Sequence, residues 1–151
     1  MNIETIYAAH KSSINNKFAN TFAPFLYFIP AILALIPYAQ YIAWIIPMYL
    51  AVKETDSDLI KYSGAQSSLI YFFGAMASLI VTFCGQLFAY PSSCVITAVL
   101  NFTKNPTTAV FYILIYIVCL GFAAIPAKYA KDYTVCKLTL LRGYCEKLAS
   151  I

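Results

Sequence analysis

The chain has 151 residues, 62% hydrophobic and only 11% charged, with ten Lys and Arg against six Asp and Glu. Ordinary soluble domains are about 25% charged, and a domain of this length keeps most of its residues in touch with water. So few charges cannot clothe such a surface, which excludes an ordinary soluble domain and favours the membrane class.

Residues 1–17 carry Glu4, His10, Lys11 and Lys17 and lack the apolar core of a secretory signal. Ile3, Ile6, Tyr7 and Ile14 would share one side of a helix, so the segment reads as interfacial or disordered. Beyond it, no Asp, Glu, Lys, Arg or His occurs in 18–52, 62–103 or 105–127. A crossing needs roughly 20 apolar residues, and each run is long enough.

As one straight helix, 18–52 would extend about 52 Å at 1.5 Å per residue, too long for a single crossing. It also contains Pro24, Pro30, Pro37 and Pro47, and interior proline kinks or breaks a helix. Tyr38-Ala39-Gln40-Tyr41 follows Pro37, and Tyr favours membrane–water interfaces. The expectation is a short hairpin: a helix over 18–36, a turn at 37–40, and a second helix over 41–54.

The segment 53–61 holds five charges. Thr55-x-x-Asp58 has capping-box spacing, with Ser57 as the other candidate cap, and Asp56 and Asp58 suit the start of a helix. A long helix is predicted over 57–89, ending at Tyr90-Pro91-Ser92-Ser93. A loop or half-buried segment follows, then a fourth helix over 106–127 with Pro106 in its first turn. The tail, 128–151, repeats Tyr133, Cys136, Leu140, Leu141, Tyr144, Leu148 and Ile151 at helical spacing among basic residues. This predicts an amphipathic helix, suited to an anionic membrane surface or a partner subunit.

The fold class expected is therefore an all-α integral membrane protein with four transmembrane helices and a C-terminal amphipathic helix. The membrane domain is 18–127. Four crossings place nine of the ten Lys and Arg on one side and Lys104 alone on the other. Positive charge marks the cytoplasmic side or its equivalent, so the termini and the 53–61 loop face cytoplasm, matrix or stroma.

Along the long helix, Lys61, Tyr62, Gln66, Ser67, Gly74, Ser78, Thr82 and Gly85 form an interaction or packing face, with Tyr71 among them. Small residues allow helices close approach, and Ser or Thr can bond across them. Two readings stand: a packing face within the bundle, or a face for a second chain or a polar path. Gln40, Gln66 and Gln86 fall at the edges of the hydrocarbon. The five Cys (Cys84, Cys94, Cys119, Cys136, Cys145) have no ligand spacing and read as small packing residues.

No ionisable group falls at mid-membrane, which disfavours pumps and ion-coupled transporters. His10 is the only His, and no catalytic motif is present. The expectation is no enzyme, with no catalytic, cofactor or metal site. The partners expected are the lipid bilayer and other membrane-protein subunits, not nucleic acid. The sequence names no small-molecule substrate.

The stretch Leu59-Ile60-Lys61-Tyr62-Ser63-Gly64-Ala65-Gln66-Ser67-Ser68 resembles the loop-to-helix junction of the chloroplast inner-envelope protein-import (Tic) four-helix channel-subunit family and its small bacterial relatives. That pattern runs roughly aromatic–Val–Arg–aromatic–His/Asn–Ala–x–Gln–Ala–Leu. Ile60, Tyr62 and Gln66 agree and Lys61 keeps the charge, while Ser63 and Ser68 depart. The resemblance implies a non-enzymatic protein of four crossings in or near a protein-translocation assembly. The alternatives are an accessory subunit of a respiratory, photosynthetic or secretion complex, and a small channel or transporter.

Overall fold

The computed structural model describes residues 2–5, 7–14, 16–36, 38–89 and 106–149. The segment expected to loop after Tyr90, with Cys94 and Lys104, lies outside them. The described elements are strand β1 (Asn2–Thr5), helix α1 (Ala19–Leu33), a 3-10 turn (Ala39–Tyr41), α2 (Ile45–Lys53), α3 (Asp58–Ala89), α4 (Pro106–Ala130), strand β2 (Thr134–Lys137) and α5 (Arg142–Ala149). Among the described residues, two helices are long and apolar enough to cross a membrane, with spans at Asp58–Gly85 and Ala109–Ala130.

The expected hairpin is present with shorter helices. Its first arm, α1, contains Pro24 and Pro30. Each proline removes an N–H, leaving the carbonyl four residues back without its helical donor. Residues 34–36 turn on backbone bonds such as Leu35 N–H to the Ile32 carbonyl, and Tyr38 then adopts a left-handed φ of 67°. The second arm becomes α-helical only at Ile45. Before it, the Trp44 indole donates to the Tyr41 carbonyl at 2.9 Å. Pro47 sits in the first turn of α2, where its missing N–H would have had no helical partner.

The start of α3 falls one residue after the position expected, and Ser57 is its cap: the Ile60 N–H reaches Ser57 Oγ at 3.3 Å. Thr55, the other candidate, donates instead to Asp56 Oδ1 at 2.8 Å. At its far end α4 passes Pro126 and continues three residues beyond the expected boundary. The Thr134 hydroxyl then takes the Tyr129 carbonyl at 2.7 Å, and Tyr133 leaves the helix with a φ of 52°.

Contacts along the bundle fix its directions. Ala23 and Leu26 of α1 share a cluster with Leu59, Ile60 and Tyr62 of α3, and Tyr27 and Ala31 share the next with Ile70 and Tyr71, so these helices run the same way. Ala51 and Pro47 of α2 meet Gly64, and Trp44 meets Phe72 with ring centroids 5.2 Å apart, so α2 runs back. Tyr112 of α4 meets Thr82 and Cys119 meets Ile70, so α4 runs back as well. All four helices have one end at the same face of the molecule. That face collects the N-terminal segment, the 54–57 connection, the strands and α5, and with them every described charged residue.

The all-α expectation is corrected there. β1 pairs antiparallel with β2, Asn2 opposite Lys137 and Thr5 opposite Thr134. The 128–151 segment is thus not one amphipathic helix but the end of α4, a strand and the eight-residue α5. Thr134, Val135 and Cys136 suit a pleated surface once a partner strand is available. The N-terminal segment supplies that partner, so residues 2–5 are strand rather than an isolated helix face or disorder.

A Cβ at Gly64 would lie 2.7 Å from both the Ala51 Cβ and the Pro47 carbonyl oxygen. Backbone cannot yield as a side chain can, so Gly64→Ala forces α2 from α3. The expected cost is about 1–3 kcal/mol, read as a lower unfolding temperature of the detergent-solubilised protein. Gly121→Ala, where nothing lies within 4 Å, leaves that temperature unchanged or raises it.

Candidate functional site

The face expected along α3 is turned inward. Tyr62, Gln66, Ser67, Ser78 and Thr82 are buried, while Lys61 and Gly85 are half-buried. Gln66 bridges two elements: the Tyr27 hydroxyl donates to its Oε1 at 2.7 Å, and its Nε2 donates to the Cys136 carbonyl at 3.0 Å. Ser67 Oγ donates to the Leu26 carbonyl at 2.7 Å. That carbonyl is the one Pro30 leaves without its helical donor, so Ser67 replaces the missing N–H. Tyr71 donates to the Tyr27 carbonyl at 3.1 Å.

Further along α3, Gly74 admits Cys119 of α4, whose sulfur would lie 2.5 Å from an added Cβ. Thr82 Oγ1 bonds the Ser78 carbonyl at 2.8 Å and also meets the Tyr112 hydroxyl, with Tyr41 at the edge of the group. Gln66, Ser67, Gly74 and Thr82 of this face thus each contact another element of the same chain. At the hairpin tip, the buried Gln40 Nε2 has no hydrogen-bond partner. Gln40 lines a pocket of about 30 Å³ with Ser78, Tyr112 and Tyr116, room for a bound water.

A second polar cluster lies at the charged end, and the sequence did not single it out. Glu54 ends α2 and is only 1% exposed. Its carboxylate accepts from Ser12 Oγ at 2.5 Å, from Ser13 N–H at 2.8 Å and Oγ at 2.6 Å, and from the Asp56 N–H at 3.2 Å. Burial alone would raise its pKa, but these donors outweigh it and hold the carboxyl below the ordinary carboxylate range. The Ser12–Lys17 turn that presents the two serines closes on itself through Ser12 N–H to the Lys17 carbonyl.

His10 fastens the same segment. Its Nδ1 donates to the Ala8 carbonyl at 2.8 Å, and its Nε2 is hydrogen-bonded to the Ser57 hydroxyl at 2.7 Å. The His10 ring packs against Tyr7 and Tyr133, and its carbonyl accepts the Ala19 N–H. A Ser–His pair has the spacing of a nucleophile and base. Here Ser57 is wholly buried and its oxygen caps α3, so no substrate reaches it. Nearby, Cys145 is buried beside Tyr62, and burial pushes its thiol up to about 12. The Cys136 thiol is raised by the same cause. Both suit the packing role expected of them rather than reactivity. Hydrogen bonds from Arg142 and then Lys137 keep the Glu146 carboxyl below its usual range.

Among the described residues no group of His, Cys, Asp and Glu could hold a metal ion. Comparison with protein-family models, with curated proteins and with solved structures finds no match to the chain.

Two measurements test these clusters. Gln66→Leu leaves the buried Tyr27 hydroxyl and Cys136 carbonyl without their partner. The expected cost is about 1–3 kcal/mol per orphaned group, measured by denaturant titration in detergent. For Glu54, a folded pKa below the unfolded one means its contribution is present above the unfolded value. It is lost as pH falls through the folded value, below the ordinary range near about 4.3. Protection of the Ser13 amide from hydrogen exchange, taken relative to its intrinsic rate at each pH, should fall over that acidic range, and in Glu54→Gln it should already be low at neutral pH.

Proposed function

We propose that the chain is a non-catalytic integral membrane protein whose four bundle helices cross the bilayer, and that it serves as a subunit of a membrane assembly. One observation carries the membrane reading: the walls of the bundle are both apolar and exposed. Phe73, Met76, Ile80 and Phe83 on α3, and Phe111, Leu114, Val118 and Phe122 on α4, stand open. Only 33% and 22% of the most apolar stretch of the two candidate spans is buried. The core helix of a soluble protein would be mostly covered, whereas a bilayer is the medium in which such walls are solvated. The charged end then faces cytoplasm, matrix or stroma, because nine of the ten Lys and Arg belong to it.

The subunit reading is supported by an apolar groove of about 690 Å³ between α3 and α4, closed below by Leu138–Leu141. Its apolar lining, with Gly74 and Ala77 among larger side chains, suits contact with a neighbouring apolar helix. Protein translocation rests on the junction resemblance alone. Of its residues, Tyr62 is buried in internal packing and Gln66 is held by hydrogen bonds within the chain, which favours the more general subunit reading.

Alkaline carbonate should leave the protein in the membrane pellet, and tags at the two termini should be protected or cleaved together in sealed vesicles. Release by carbonate, or opposite behaviour of the tags, contradicts the four-crossing reading. Purification in mild detergent should retain partner chains; a chain that runs alone removes the subunit role.

A further inference from the structure

Where α1 and α4 meet at the charged end they leave a pocket of about 420 Å³, lined by Asn20, Thr21, Pro24, Phe25, Phe28 and Lys131. That volume is within the range of small-molecule sites, roughly 300–1,000 Å³. Its chemistry changes along its length. Asn20, Thr21 and Lys131 form the end nearest the charged face, and the Asn20 amide donates to the Lys131 carbonyl at 3.0 Å, fixing the two elements together. One and two turns further along α1 the wall is Pro24, Phe25 and Phe28, with Phe25 56% and Phe28 41% exposed. Polar groups at the face and aromatic carbon below reproduce the order met on entering a bilayer from water.

The charge at the mouth is unbalanced. Lys131 pairs with no carboxylate among the described residues, its neighbour Asp132 included. Glu54 and Glu146 are committed to their own donors. The first turn of α1 contains no acidic side chain that would repel an anion. The ammonium and the Thr21 hydroxyl are donors, so the mouth favours an acceptor-rich anionic group over a neutral or cationic one.

We propose that this pocket binds an anionic phospholipid, with the phosphate at Lys131 and Thr21 and an acyl chain along Pro24, Phe25 and Phe28. The inference rests on the membrane reading above, since it takes the charged face as the level of the headgroups. A basic recess between helices on that side suits such a headgroup, and the adjoining aromatic wall rewards a chain that free phosphate lacks.

The test uses the full chain in nanodiscs of phosphatidylcholine and phosphatidylglycerol, with retained lipid counted by native mass spectrometry. Wild type should keep phosphatidylglycerol in preference to phosphatidylcholine, and excess inorganic phosphate should not displace it. Lys131→Glu should lower the preference roughly tenfold or more. Lys53→Glu, the same charge change at the end of α2, should leave it intact. Phe25→Ala, which keeps every charge, should weaken retention and serves as the second variant if Lys131→Glu does not fold. Equal losses in Lys131→Glu and Lys53→Glu, no preference between the two lipids, or displacement by phosphate would each overturn the site. Carbonate extraction of the membranes from which the chain is purified separates the two ideas: retention in the pellet without lipid preference in nanodiscs removes the lipid site alone, and release removes both.

Discussion

Gln66 joins the two halves of the molecule. One end of its amide holds Tyr27 in α1 and the other holds the backbone of β2 at Cys136. It is wholly buried, so each bond is made where an unpaired group would be costly. The helical bundle and the charged end therefore cannot shift against each other without orphaning a buried donor or acceptor. Leu59, Ile60 and Tyr62 pack in the same layer with Ala23, Leu26, Val135 and Cys145. The small sheet and α5 are in this sense built onto the first turns of α3.

The prolines impose a related constraint. Pro30 lies well inside α1, and an apolar surrounding offers no water to the carbonyl it leaves free. Ser67 supplies the donor from the next helix. A defect in one helix thus becomes a specific contact with another, which fixes the rotation of α1 against α3 more firmly than aliphatic packing would. Tyr71, one turn further along α3, adds a second bond between the helices at the Tyr27 carbonyl, although no proline frees that carbonyl.

Much of this architecture was legible in the sequence because it depends on local signals. Charge-free runs, the proline cluster and Ser57 located the four bundle helices to within a few residues, and the spacing on α3 picked out residues of which Tyr62, Gln66, Ser67, Ser78 and Thr82 are buried. Pairings between distant segments were not legible. Nothing in Asn2–Thr5 or Thr134–Lys137 alone indicates that each is the other's partner, and the tail's apolar spacing suits a helix as well as a strand followed by a helix. Glu54 stands in the sequence only as one of five charges in the 53–61 segment. Its burial follows from Ser12 and Ser13 folding over it, a contact between residues some forty positions apart.

These long-range contacts also bear on topology without appeal to charge. Ser12 and Ser13 reach Glu54, and His10 reaches Ser57. Tyr133 in turn packs on His10, so the start of α1, the α2–α3 connection and the end of α4 meet at one place. The chain between His10 and Glu54 must therefore travel along the bundle an even number of times, and so must the chain between Ser57 and Tyr133. With α1 and α3 leading away, α2 and α4 must return, however short α2 is. In the membrane reading, the nine residues of α2 cover only about 14 Å of the depth. The 3-10 turn and the residues around Trp44 supply the rest of that return. Irregular backbone of this kind is tolerated at such depth where it is covered by protein, and Trp44 against Phe72 provides cover of that sort.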